Sequence, residues 1–132
     1  MILKYIQTGM GNIAGLTALI IDDEYDICFL LSRILRAGKL DVQFVNSISE
    51  GKSCLSKTNP SLLFLDNHLP DGYGMDFISY VKNHHPDTKI VMITAHDTSE
   101  DRKKALKEGA DVFISKPFSS AQINAAVASF FP

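Results

Sequence analysis

The sequence predicts an α/β fold: a doubly wound parallel sheet of five strands that alternate with five helices. Two observations carry this reading. Short runs such as Leu16–Ile21, Leu62–Leu65 and Ile90–Ile93 are apolar at nearly every position and end at polar or turn residues. Such runs fit strands buried on both faces. Between the runs, apolar residues recur at i, i+3 and i+4, the period of a helix packed on one face. Strict alternation of the two patterns implies one parallel sheet covered by helices. Right-handed crossovers then favour a doubly wound arrangement.

The chain has 132 residues, enough for one domain that needs no disulfide or metal to stabilise it. It is 45% hydrophobic and 21% charged, with a formal net charge of −2. Its 13 basic residues are scattered, which argues against a nucleic-acid surface. No apolar run is long enough to span a membrane, and the first residues are too polar for a signal peptide. These features read as a cytoplasmic protein. Cys28 and Cys54 lie far apart in helical patterns and read as small buried hydrophobes.

Residues 1–15 read as an N-terminal extension, either loose or left over from expression, because Gly9, Gly11 and Gly15 interrupt any period. The domain proper spans residues 16–132. Its first strand, Leu16–Ile21, ends in Asp22-Asp23-Glu24. Acids there suit the positive end of a helix in which Ile27, Leu30, Leu31, Ile34 and Leu35 share a face, with Gly38 as the stop. Asp41–Val45 is the second strand. Ser47 and Glu50 form a capping box for a helix from Ile48 to about Lys57, closed by Asn59-Pro60. The third strand runs into Asp66, and a loop marked by Pro70, Asp71 and Gly72 follows. Met75, Phe77, Ile78 and Val81 give the third helix, closed before Pro86. Lys89–Thr94 is the fourth strand. Thr98 and Asp101 cap a helix to Glu108, stopped at Gly109. Asp111–Ser115 is the last strand, and Ser119 or Ser120 opens a final helix ending at Phe131.

In a parallel sheet all carboxyl ends lie on one edge, where such folds bind ligands. Asp22, Asp23, Asp66, Thr94 and Lys116 therefore converge. Carboxylates that close repel one another, and a hard divalent cation such as Mg²⁺ offsets the repulsion. Lys116 and Thr94 can hold an anion beside it, and the anion most often found with Mg²⁺, lysine and a hydroxyl is a phosphoryl group. A carboxylate can accept that group as an acyl phosphate.

These residues resemble the receiver domain of two-component response regulators, of the chemotaxis-regulator kind, over about residues 16–131. The acidic pair Asp22-Asp23 follows strand one. Asp66 follows strand three, with Leu69-Pro70 and Gly74 behind it. Thr94 precedes small Ala95, and Lys116 precedes Pro117. The resemblance implies a flavodoxin-like sheet in the order 2-1-3-4-5. It implies that Asp66 accepts a phosphoryl group from a sensor histidine kinase or phosphotransfer protein. It implies Mg²⁺ on Asp22, Asp23, Asp66 and the backbone carbonyl of His68, with Lys116 on the phosphoryl oxygens. Thr94 and Phe113 are then the switch, acting on the surface of the fourth helix, fifth strand and fifth helix. His68 and His96 stand where the family tunes phosphoryl lifetime, although two exposed loop histidines are an equally fair reading.

Such a domain signals to a downstream effector or output domain, can form a homodimer, and is no enzyme beyond its own phosphorylation and dephosphorylation. Two rivals remain. One is a receiver-like scaffold that is never phosphorylated. The other is a phosphatase of the haloacid dehalogenase type, which needs an acid two residues after its nucleophile, where this chain has His68.

Overall fold

The computed structural model describes residues 15–131. The proposed extension over residues 1–15 lies, except for Gly15, outside the described residues. Five strands form the main sheet: β1 (Thr17–Ile21), β2 (Asp41–Val45), β3 (Leu62–Leu65), β4 (Lys89–Thr94) and β5 (Val112–Ser115). Five helices alternate with them: α1 (Tyr25–Ala37), α2 (Ile48–Thr58), α3 (Gly74–His84), α4 (Ser99–Glu108) and α5 (Ser120–Phe130). Every pairing in the sheet is parallel and the spatial order is β2-β1-β3-β4-β5. The fold is the expected one.

The strands are apolar throughout because the sheet has a core on each face. Successive side chains of a strand point to opposite faces. Thus Ile20, Phe64, Val91 and Ile114 pack with Cys28, Leu31 and Leu35 of α1 and Ile123 of α5. Leu19, Ile21, Leu63, Leu65 and Met92 pack on the other face with Leu55 of α2, Ile78 of α3 and Ala105 of α4. β3 lies between β1 and β4, and all four of its residues are buried.

The caps explain most helix boundaries. Ser47 accepts a hydrogen bond from the Glu50 N–H at 3.2 Å, and Thr98 accepts one from Asp101 N–H at 3.0 Å. The box expected at α2 is altered, since Glu50 accepts from the Asn46 N–H rather than from Ser47 N–H. The Asp71 carboxylate, from the loop after β3, instead accepts from the N–H groups of Ile48 and Ser49. At α5 the cap is Ser119, in a full capping box with Gln122.

Three expectations need correction. Leu30 is exposed, because at 100° per residue it falls opposite the face made by Cys28, Leu31 and Leu35. Cys54 is only half-buried and donates to Gln43 Oε1 at 3.2 Å, whereas Cys28 is fully buried as read. The loop after Asp66 contains a small antiparallel hairpin, pairing His68–Leu69 with Gly72–Tyr73.

Candidate functional site

The site is built at the carboxyl ends of β1, β3, β4 and β5. Asp66 follows the last residue of β3, and its N–H donates to the Ile21 carbonyl, which ties it to the end of β1. Asp22 follows β1, with its N–H donating to the Val45 carbonyl of β2. Its own carbonyl accepts from Asn46 Nδ2 at 2.8 Å and from Cys28 Sγ at 3.3 Å. The two carboxylates are thus fixed from the backbone outward, and both side chains are buried.

One oxygen from each of Asp22, Asp23, Glu24 and Asp66 lies within 4.8 Å of the others. Lys116, just after β5, is the cation that meets them. Its Nζ lies 2.9 Å from Asp22 Oδ2, 2.9 Å from Glu24 Oε1 and 3.6 Å from Asp66 Oδ1. Asp66 Oδ1 also accepts from the Asn67 N–H, while Oδ2 has no hydrogen-bond partner among the described residues. Thr94 is buried at the end of β4, and its hydroxyl accepts from the His96 N–H at 3.2 Å. A cavity of about 270 Å³ opens here, lined by Asp23, Glu24, Asp66, Thr94 and Lys116 with His68 and His96 at its rim.

The electrostatics follow from crowding. Burial, then the charge of Asp22, pushes the Asp66 carboxyl up to about 7, against the opposing pull of Lys116 and the Asn67 N–H. Burial also raises Asp22, although the Glu24 N–H and Lys116 favour its ionised form. For Lys116 burial alone would lower the ammonium. Its bonds to Asp22 and Glu24 and the charge of Asp66 outweigh that and raise it. One ammonium among four carboxylates leaves an excess of negative charge on hard oxygen donors. That donor set fits a cation such as Mg²⁺.

The structure brings Asp22, Asp23, Asp66, Thr94 and Lys116 to one edge of the sheet, and the exposed His68 and His96 line the same cavity. Phe113 lies apart, buried in the core beside α4, with the Arg102 guanidinium 4.8 Å from its ring centroid. Arg102 also donates to the Asp97 carboxylate at 2.9 Å. Two residues went unnoticed in the sequence. Glu24 reads in the sequence only as an acid at a helix start, but in the structure it shares Lys116. Asn67 is buried, and its Oδ1 accepts from the Met75 N–H while its backbone carbonyl accepts from Gly74 N–H. It holds the loop after Asp66 onto α3. A polar residue in the wake of a buried strand was the only signal for it.

Residues 18–128 match the family model described as the response regulator receiver domain. The chain belongs to that family. The response regulator protein PilR of Pseudomonas aeruginosa is 38% identical over 112 residues, covering 85% of this chain and 25% of PilR. The photosynthetic apparatus regulatory protein RegA of Rhodovulum sulfidophilum is 29% identical over 111 residues, covering 84% of this chain and 61% of RegA. The chain thus spans less than two thirds of these relatives. Among solved structures, the beryllofluoride-activated NtrC4 receiver domain dimer is 30% identical with a TM-score of 0.83, covering 87% of this chain and 95% of that one. A response regulator from Burkholderia pseudomallei, solved with a phosphorylated aspartic acid, calcium ion and citrate, is 26% identical with a TM-score of 0.80. It covers 86% of this chain and 69% of that one. Receiver domains serve signalling, and among the described residues no helix is long and apolar enough to cross a membrane.

Proposed function

We propose that Asp66 accepts a phosphoryl group in a Mg²⁺-dependent reaction, donated by a sensor histidine kinase or a phosphotransfer protein. The observation that carries this reading is the Asp66 carboxylate at the end of the central strand. It lies 3.6 Å from Lys116, in an acidic cluster, and lines an open cavity with Thr94. The phosphorylated aspartic acid of the Burkholderia relative supports it.

In the transfer, an Asp66 carboxylate oxygen bonds to phosphorus as the P–N bond of the donor phosphohistidine breaks. The departing imidazole keeps the electron pair and takes up a proton. Oδ2, free of other bonds, is the oxygen best placed to attack. Asp23, Asp66 and the His68 backbone carbonyl would hold Mg²⁺, and Asp22 would act through water, since both of its oxygens are already bonded. The ion, when bound, supplies charge that offsets the phosphoryl oxygens. Lys116 exchanges part of its contact with Asp22 and Glu24 for a phosphoryl oxygen. Thr94 turns its hydroxyl to donate to another.

Phosphorylation replaces the single negative charge of the Asp66 carboxylate with about two and brings three phosphoryl oxygens as acceptors. The response of Thr94 and Phe113 shifts a population already present, changing the face of α4, β5 and α5. An effector, an output domain or a second copy then reads that face; the NtrC4 receiver is a dimer in its activated form. This is a cytoplasmic signalling domain, with no turnover beyond its own phosphorylation and dephosphorylation and no nucleic acid or membrane as its target. His68 and His96 flank the incoming group and set how fast it hydrolyses. Equal decay of the phosphoprotein in wild type and in His68→Ala/His96→Ala would remove that role.

The test is intact mass after incubation with Mg²⁺ and acetyl phosphate. One added phosphoryl group is expected, absent in Asp66→Ala and with EDTA. If neither this adduct nor beryllofluoride binding is seen, the reading fails and a phosphorylation-independent scaffold replaces it.

A further inference from the structure

His68 and His96 reach the same place from different strands, one two residues beyond Asp66 and one two residues beyond Thr94. Their ring centroids lie 4.3 Å apart with the planes tilted by 44°. Both residues are exposed. Tyr73, paired with His68 in the hairpin, sets its ring nearly perpendicular to the His68 ring with the centroids 5.6 Å apart. Among the described residues neither ring of the pair makes a hydrogen bond. The other two histidines are already engaged: His84 Nδ1 meets the Tyr80 carbonyl at 2.9 Å and His85 Nδ1 meets Asn59 Oδ1 at 3.1 Å.

The pair lines two cavities at once. One is the acidic cavity over Asp66. The other, also of about 270 Å³, lies beside it and is lined by Tyr73, Asp76 and Asp101, with Lys104 as its cation. Two imidazoles with free nitrogens, flanked by carboxylates, offer a ligand set unlike the oxygen cluster below. Imidazole suits Zn²⁺ and Cu²⁺, whereas Mg²⁺ prefers oxygen. A Zn–N bond of about 2.0–2.1 Å places the centroids of two rings on one tetrahedral ion roughly 5 Å apart. Exposed side chains can open the observed separation to that value by rotation.

We propose that His68 and His96 form a two-point site for a borderline divalent cation, Zn²⁺ for example, at the mouth of the acidic cavity, and that the bound ion slows the arrival of a phosphodonor at Asp66. Water completes the coordination. The ion sits over the entrance rather than among the oxygens of Asp22, Asp23 and Asp66, so the two cations do not compete for ligands. The second half of this proposal rests on Asp66 being the phosphoacceptor. The first half does not.

The experiment titrates ZnCl₂ into the protein in excess Mg²⁺, by calorimetry and by the ring C–H resonances of the four histidines. One equivalent should bind, moving the His68 and His96 signals and leaving those of His84 and His85. His68→Ala and His96→Ala should each weaken binding roughly a hundredfold, since each removes one arm of a tethered pair. Unchanged affinity in either variant, or movement of His84 and His85 instead, overturns the site. With acetyl phosphate, zinc should slow phosphorylation of the wild type several-fold and leave the rate of the double alanine variant unchanged. Equal slowing in both overturns the gating. If Mg²⁺ alone supports neither phosphorylation nor beryllofluoride binding, the phosphoacceptor reading falls, while the zinc titration still decides the site.

Discussion

Burial lifts the Asp66 carboxyl from the usual carboxylate range to about 7, and this has a consequence for stability. In the unfolded chain the group loses its proton near pH 4. Between there and about pH 7 the native state holds more protons, so native stability falls as pH rises through that window and levels off above it. Asp22, also raised by burial, adds to the same slope. Asp66→Asn removes the larger contribution. Without divalent cation at pH 7.5 it should be more stable than wild type by roughly 1–2 kcal/mol, after allowance for solvent near the cavity. Its melting temperature should change less between pH 5 and 7.5. A variant that melts lower than wild type in calorimetry would show that contacts of the Asp66 carboxylate outweigh its crowding. The sequence located this residue because an apolar run ending in an acid has few meanings. It did not show that Glu24 bends back to Lys116, or that Asn67 locks the next turn. Both depend on side chains reaching across loops, which no periodicity records.

The elements around the site are held by close approaches that leave no room for change. Gly74 opens α3, and its N–H donates to the Asn67 carbonyl at 2.8 Å. A methyl group added there would run into the Asp66 carbonyl oxygen and press on Leu65. Gly74→Ala should therefore cost roughly 1–3 kcal/mol in urea unfolding, as overpacked sites do. It should also slow phosphorylation, because the clash falls on the backbone of Asp66. Unchanged stability would mean that the loop between β3 and α3 yields more readily than its hydrogen bonds suggest. The strands and caps were legible because each carries a local signal. β2 and β4 begin and end at the residues expected for them, and Thr98 caps α4 as its spacing with Asp101 implied. The hairpin after Asp66 was not, since two-residue strands have no period. At the end of α1 the chain stops at Gly38 as read, yet the left-handed residue is Lys39, with φ of 72°. A glycine marks where a helix ends more reliably than which residue makes the turn.

Across the whole molecule, two cores clamp the sheet from opposite faces, and the strands that carry Asp22 and Asp66 are hydrogen-bonded neighbours in its centre. The acids cannot relieve their repulsion by drifting apart without disturbing that core. Folding and cation binding are therefore linked: an ion that binds only the native site stabilises it by RT ln(1 + [L]/Kd), about 1.4 kcal/mol at ten times Kd. Thermal melts should shift upward by a few degrees as Mg²⁺ passes through that range. Asp23→Asn separates the two effects. It removes one negative charge from a cluster that, among the described residues, has Lys116 to balance it, and on the proposed reading it also removes a ligand. In EDTA the variant should melt at or above the wild type. In excess Mg²⁺ the order should reverse, because the wild type gains more from the ion. If wild-type melting is insensitive to Mg²⁺ while the variant is as stable as predicted in EDTA, the cluster is crowded but binds no ion, and a metal-independent site would have to account for its chemistry. Parallel curves for the two proteins would instead place the ion on the oxygens of Asp22, Glu24 and Asp66 without Asp23.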